Sequence, residues 1–184
     1  MDKPKSFGIS RFVLEIVVVA AAFCIFGCNA PTTTPRAENP ESRRLAESLP
    51  GLRSPDVLVL YSIDGREPPD ESNASDDKFH GFPVLGKLEI KQTASRAEIC
   101  AAIREGVAEF DGVVAACFWP RHGLHVIEDG VPFDYVVCFE CAQFRLYAAG
   151  QDGKVKPTEG ATTGSPQVVL DRYLEAAGIP LAPK

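Results

Sequence analysis

At 184 residues, 45% of them hydrophobic, the chain can hold one domain with extensions but not two sizeable cores. Its net charge is −6, and because Lys3, Lys5 and Arg11 outnumber Asp2 and Glu15 over the first 27 residues, the remainder carries −7. That balance, with no arginine-rich patch interleaved with aromatics, excludes the broad cationic footprint of a nucleic-acid binder.

The three basic residues precede an apolar run, Ile16 to Gly27. Its length suits the core of a signal peptide and falls short of the roughly 20 residues a spanning helix needs. The run ends in Ile25-Phe26-Gly27-Cys28, which resembles the lipobox of bacterial lipoprotein precursors. The resemblance implies a signal peptide over residues 1–27, with Cys28 lipidated through its thiol and left as the mature N-terminus. It implies a membrane anchor in the bacterial cell envelope, facing the periplasm or the exterior. Diacylglycerol and an N-acyl group together supply the two or more chains that stable anchoring takes. Cys24 lies inside the apolar run and leaves with it.

Residues 28–52 are rich in Pro, Thr, Ser and charge and are expected to form a flexible tether, with a turn or two of helix over Glu41 to Leu49 before Pro50-Gly51. A single domain is expected over residues 53–184. Its first strand is Asp56 to Asp64. The polar, acidic stretch from Gly65 to Phe82 reads as a surface loop, and its carboxylates lack the alternation and glycine of a calcium loop. A second strand follows over Phe82 to Thr93, with Gly86 as a bulge or close-packing point.

Ser95 to Phe110 reads as a helix capped by Ser95 with Glu98 at the capping-box spacing, its stripe being Ile99, Ile103, Val107 and Phe110. Val113 to Phe118 is expected to be the third strand and Gly123 to Glu128 the fourth, with Asp129-Gly130 as a two-residue hairpin turn. That register sets His125 opposite Asp134, within reach of a hydrogen bond. It also gathers Leu124, Val126, Phe133, Tyr135, Val137 and Phe139 on one core face. The fifth strand either continues through Cys141 or breaks there. The stretch from Gln151 to Gly164 reads as loop, and Ser165-Pro166 opens a second helix that Gly178 terminates. The predicted fold class is α+β: an antiparallel sheet of about five strands packed against two helices.

Chemistry, where present, centres on Cys117, His122, Cys138 and Cys141. As soft and borderline ligands these four suit a structural zinc, provided that a bulge or tight turn brings Cys138 and Cys141 to one side. As thiols, Cys138 and Cys141 have redox-pair spacing, while a structural disulfide would join Cys117 to Cys138 or to Cys141. As core residues they need no partner. The spacing leaves all three readings open. His80 reads as a surface residue, with a place beside His122 as the alternative. Trp119, Arg121 and His125 form a candidate binding surface, since aromatic and arginine side chains dominate binding hot spots.

The segments FHGFPVLGKLEI, AACFWPRHGLHV, VVCFECAQFRLY and TTGSPQVVLDRYLEAAGIPLAP are similar to those of an uncharacterised family of bacterial envelope or secreted proteins. The resemblance covers most of Val57 to Pro183 and implies no reaction. No Gly-x-Ser-x-Gly elbow, His-Glu-x-x-His helix or phosphate-binding glycine loop is present. The leading expectation is a lipid-anchored, non-catalytic binding or structural module with an envelope protein as partner. The alternative is a metal-dependent enzyme, with zinc held by Cys117, His122, Cys138 and Cys141.

Overall fold

The computed structural model describes residues 39–66, 77–149 and 155–183. The expected leader, Cys28 and residues 67–76 of the acidic loop lie outside the described residues. In chain order the elements are α1 (Pro40–Ser48), β1 (Val57–Ile63), β2 (Lys78–Phe79), β3 (Phe82–Glu89), α2 (Thr93–Ala108), β4 (His122–Glu128), β5 (Val131–Cys138), β6 (Gln143–Ala149), β7 (Val155–Ala161) and α3 (Gln167–Ala176). The strands form one antiparallel sheet ordered β2-β3-β1-β4-β5-β6-β7. The α+β class is as expected, but the sheet has seven strands rather than five, and three helices rather than two are present among the described residues.

Helix α1 starts where its chemistry dictates. The Asn39 side chain accepts the Glu41 N–H at 3.0 Å and Pro40 occupies the first helical position, where its missing N–H costs nothing. Ala46, Leu49 and Leu52 are buried in the main core, and the Tyr135 hydroxyl donates to the Pro50 carbonyl at 2.5 Å. The segment expected to be the end of the tether therefore belongs to the folded unit from about Asn39 onward, because its apolar side chains have a core to enter.

The helix-facing side of the sheet carries Leu58 and Leu60 of β1, Leu124 and Val126 of β4, Tyr135 and Val137 of β5, and Phe144 and Leu146 of β6. These pack with Ile99, Ile103 and Val107 of α2 and with Leu170 and Leu174 of α3. Each fully buried aliphatic side chain contributes roughly 1.5–3 kcal/mol. The opposite side is smaller: Ile63, Phe79, Phe82, Val136 and Tyr147, with Phe118 against them.

Helix α2 begins three residues earlier than its capping-box spacing predicts. Gln92 is the N-cap, without a side-chain capping bond. Glu98 faces α3 instead, accepting from Arg172 Nη2 and from the Tyr173 hydroxyl, both at 2.6 Å. Helix α3 likewise starts at Gln167 with Pro166 as its cap residue, and the Ser165 hydroxyl pairs with Thr163 and Glu109 rather than capping. Its far end follows expectation. Gly178 has φ +70°, and the N–H groups of Gly178 and Ile179 donate to the carbonyls of Glu175 and Leu174, the paired bonds of a Schellman motif.

Two strand assignments need correction. Val113 to Phe118 is irregular rather than a strand. Both edges of β4 are already taken, by β1 and β5, so this apolar segment has no free edge beside it to join. Conversely, β7 lies in the stretch expected to be loop. Its Pro157 pairs with Tyr147 in a strand at the edge of the sheet, where a missing N–H is tolerated.

Candidate functional site

Strand β5 ends at Cys138, and Phe139 to Ala142 turn the chain into β6, with Ala142 at φ +56°. The turn brings the two cysteines of Cys-x-x-Cys to one place. They form a disulfide, and the Cys141 N–H donates to Cys138 Sγ at 3.2 Å. The pairing leaves Cys117 as a free, exposed thiol. Its Sγ nevertheless lies 3.7 Å from Cys141 Sγ, whereas each bonded cysteine is only 1% exposed.

Cys141 also holds the loop that carries Cys117. Its carbonyl accepts the Ala115 N–H at 3.0 Å, its Sγ accepts the Trp119 N–H at 3.4 Å, and the neighbouring Gln143 side-chain amide donates to the Ala115 carbonyl. This loop is apolar and yet outside the core: Val113 is 91% exposed, Val114 44% and Trp119 61%. Phe118 alone turns inward, beneath the Arg145 guanidinium at 4.1 Å from its ring centroid.

His122, expected beside the sulfurs, is on the other face of the sheet. It pairs with Val137, so the two share a face, while Cys138, the next residue along β5, points to the opposite one. Its Nε2 lies 2.7 Å from Asp171 Oδ1 of α3. Gln167 Nε2 donates to the second carboxylate oxygen at 3.2 Å. Burial, the largest single influence on Asp171, pushes its pKa up, but the His122 hydrogen bond and charge, the Gln167 bond and the Arg121 charge outweigh it and hold the carboxyl below its ordinary value. His122 Nδ1 is buried without a hydrogen-bond partner. Cys117, His122, Cys138 and Cys141 thus do not converge, and among the described residues no group of three or more His, Cys, Asp or Glu side chains is arranged to hold a metal ion.

The expected binding-surface residues divide. Trp119 is exposed. Arg121 is mostly buried and clamps the C-terminal segment, donating through Nε and Nη2 to the Ala182 carbonyl at 2.9 and 2.5 Å, with Glu140 at 3.5 Å from Nη1. His125 makes the cross-hairpin bond that the register predicts, with Nδ1 2.6 Å from Asp134 Oδ1.

A second histidine shares that carboxylate, which sequence reasoning missed. His80 Nε2 lies 2.8 Å from Asp134 Oδ2, and the His80 ring stacks on Tyr147 at 3.7 Å between centroids. His80 and Gly81, at φ +50° and +84°, form the two-residue turn between β2 and β3. This is the same turn that Asp129-Gly130 makes, so Phe79-His80-Gly81-Phe82 carried a hairpin signal. Burial and the nearby Asp134 charge both raise the Tyr61 pKa. The outcome is a His–Asp–His bridge on the face away from the helices.

No family model, curated protein or solved structure matches the chain.

Proposed function

We propose that this chain is a bacterial lipoprotein anchored through Cys28, and that its folded unit is a module binding an envelope protein through residues 113–119. The anchor rests on the basic, apolar and lipobox sequence of residues 3–28. One observation carries the binding surface: Val113, Val114 and Trp119 are all exposed within seven residues of one loop. Single exposed apolar side chains are ordinary, whereas a cluster marks a contact surface. The Ala115, Trp119 and Gln143 hydrogen bonds pin this loop to the Cys141 turn, so the indole is presented with little backbone ordering left to lose on binding. The acidic balance beyond the leader favours a protein surface over nucleic acid.

Two experiments on the full chain test the two halves. A palmitate probe fed to the cells labels the wild type and leaves Cys28→Ser unlabelled; equal labelling removes the anchor. Cross-linking of intact envelopes traps a discrete heterologous adduct that Val113→Asp/Trp119→Ala lacks; the same adduct from both chains removes the loop from the contact.

A further inference from the structure

The exposed thiol, the buried disulfide and the two N–H groups aimed at sulfur form a unit that partner binding does not require. We propose that Cys117, Cys138 and Cys141 are a thiol–disulfide exchange site in which Cys117 relays electrons between the buried pair and a dithiol-bearing protein substrate.

The order of events follows from access and distance. Cys138 and Cys141 are each 1% exposed, so a protein thiol outside cannot reach their bond directly. Cys117 is exposed and its sulfur is already 3.7 Å from Cys141 Sγ. In the first step the Cys117 thiol gives up its proton and attacks Cys141 Sγ. The Cys117–Cys141 bond forms, the Cys138–Cys141 bond breaks, and the electron pair leaves on Cys138. The Cys141 N–H, 3.2 Å from Cys138 Sγ, stabilises that departing thiolate.

The disulfide is now at the surface. A substrate thiolate attacks Cys117 Sγ, forming a mixed disulfide and expelling Cys141 as a thiolate, which the Trp119 N–H at 3.4 Å receives. The second substrate thiol then attacks its own sulfur in the mixed disulfide and releases Cys117. The substrate dithiol becomes a disulfide, Cys138 and Cys141 become thiols, and Cys117 ends as it began. Two electrons move inward, and every proton lost by an attacking thiol is taken up by a departing one. Run backwards with an oxidising disulfide as substrate, the same steps restore the buried pair. The Trp119 indole takes no part in this sequence, which uses only that residue's backbone N–H, so either proposal can fail without the other.

Reduced glutathione is the probe. The oxidised full chain is incubated with it, quenched in acid, alkylated and mapped by mass spectrometry. The relay predicts a glutathione adduct on Cys117 that accumulates together with alkylatable Cys138 and Cys141, and at least tenfold slower release of those two thiols in Cys117→Ser. Adducts on Cys138 or Cys141, or equal release rates in the two chains, overturn it. A second variant needs no kinetic comparison: oxidised Cys138→Ser carries a Cys117–Cys141 disulfide if the relay operates, and two free thiols there contradict it.

Discussion

His122 Nε2 and Asp171 Oδ1 meet at 2.7 Å, joining β4 to α3 at the margin of the main core. The histidine is 1% exposed, so removing the carboxylate leaves its ring without any hydrogen-bond partner. Asp171→Ala is expected to cost about 1–3 kcal/mol at neutral pH, measured as a shift in the urea midpoint at unchanged slope.

The same pair sets a pH dependence. Because the Asp171 pKa is lower folded than unfolded, the unfolded chain binds the extra proton. The stabilisation is complete above the ordinary value of 3.8 and is lost as the pH falls through the depressed folded value. Urea midpoints for the wild type and Asp171→Asn should therefore converge as the pH drops below about 4. A gap that stays constant down to the lowest accessible pH would contradict this assignment.

Gly86 lies against Ile179. An added methyl at position 86 would come within 2.6 Å of Ile179 Cγ2, in the segment that follows the Schellman turn of α3. Gly86→Ala is expected to destabilise by about 1–3 kcal/mol. Adding Ile179→Ala should recover part of that loss, giving a coupling of about 0.5 kcal/mol or more in a double-mutant cycle. Strict additivity would mean that the two residues do not confront one another.

The two histidines on Asp134 are not equivalent. His125 contributes a hydrogen bond, whereas His80 adds ring stacking on Tyr147 to its own. His80→Ala should cost about 1–2 kcal/mol and His125→Ala about 1 kcal/mol, read from thermal or urea unfolding of each variant at neutral pH. A larger loss for His125→Ala would reverse the ranking.

The two free cysteines among the described residues, Cys100 and Cys117, should separate under alkylation. Burial pushes the Cys100 thiol up to about 12, and its side chain lies in the main core, whereas Cys117 is exposed. Iodoacetamide applied to the native chain near pH 8 should modify Cys117 and spare Cys100, as read by peptide mapping. Labelling of both at similar rates would mean that the core opens on the timescale of the reaction.

Much of the sheet's centre was legible because it rests on local rules. Asp129-Gly130 dictated the hairpin, the hairpin dictated the His125–Asp134 pair, and alternation along β4 and β5 assigned the core face. Ile99, Ile103 and Val107 of the α2 stripe and the Gly178 terminus were likewise encoded in short-range spacing, whereas Phe110 lies beyond the end of that helix. What escaped depended on remote neighbours. Val113 to Phe118 has the side chains of a strand, but pairing needs a free edge, and β1 and β5 occupy those beside it. Strand β7 has weak strand character and owes its pairing to the open flank of β6. The tether's end was misplaced because only the assembled core shows that Ala46, Leu49 and Leu52 have somewhere to go.

At the site, the cysteines were legible as a group, but their pairing was not. The turn that closes Cys138 onto Cys141 needs a positive φ at Ala142, which alanine does not announce. Asp171 lies 49 residues beyond His122 in the chain, so nothing local marked it as the histidine's partner. The same distance explains why His122 was grouped with the thiols, which sit on the other side of the sheet.

The most direct test of the account is a photo-crosslinking residue placed at position 119 of the full chain in its native envelope. Position 168 serves as control, because Val168 is 74% exposed but lies on α3. A partner held by the 113–119 loop predicts a discrete heterologous adduct from position 119 and none from position 168. No adduct at 119, or the same adducts from both positions, would contradict a binding surface centred on Trp119.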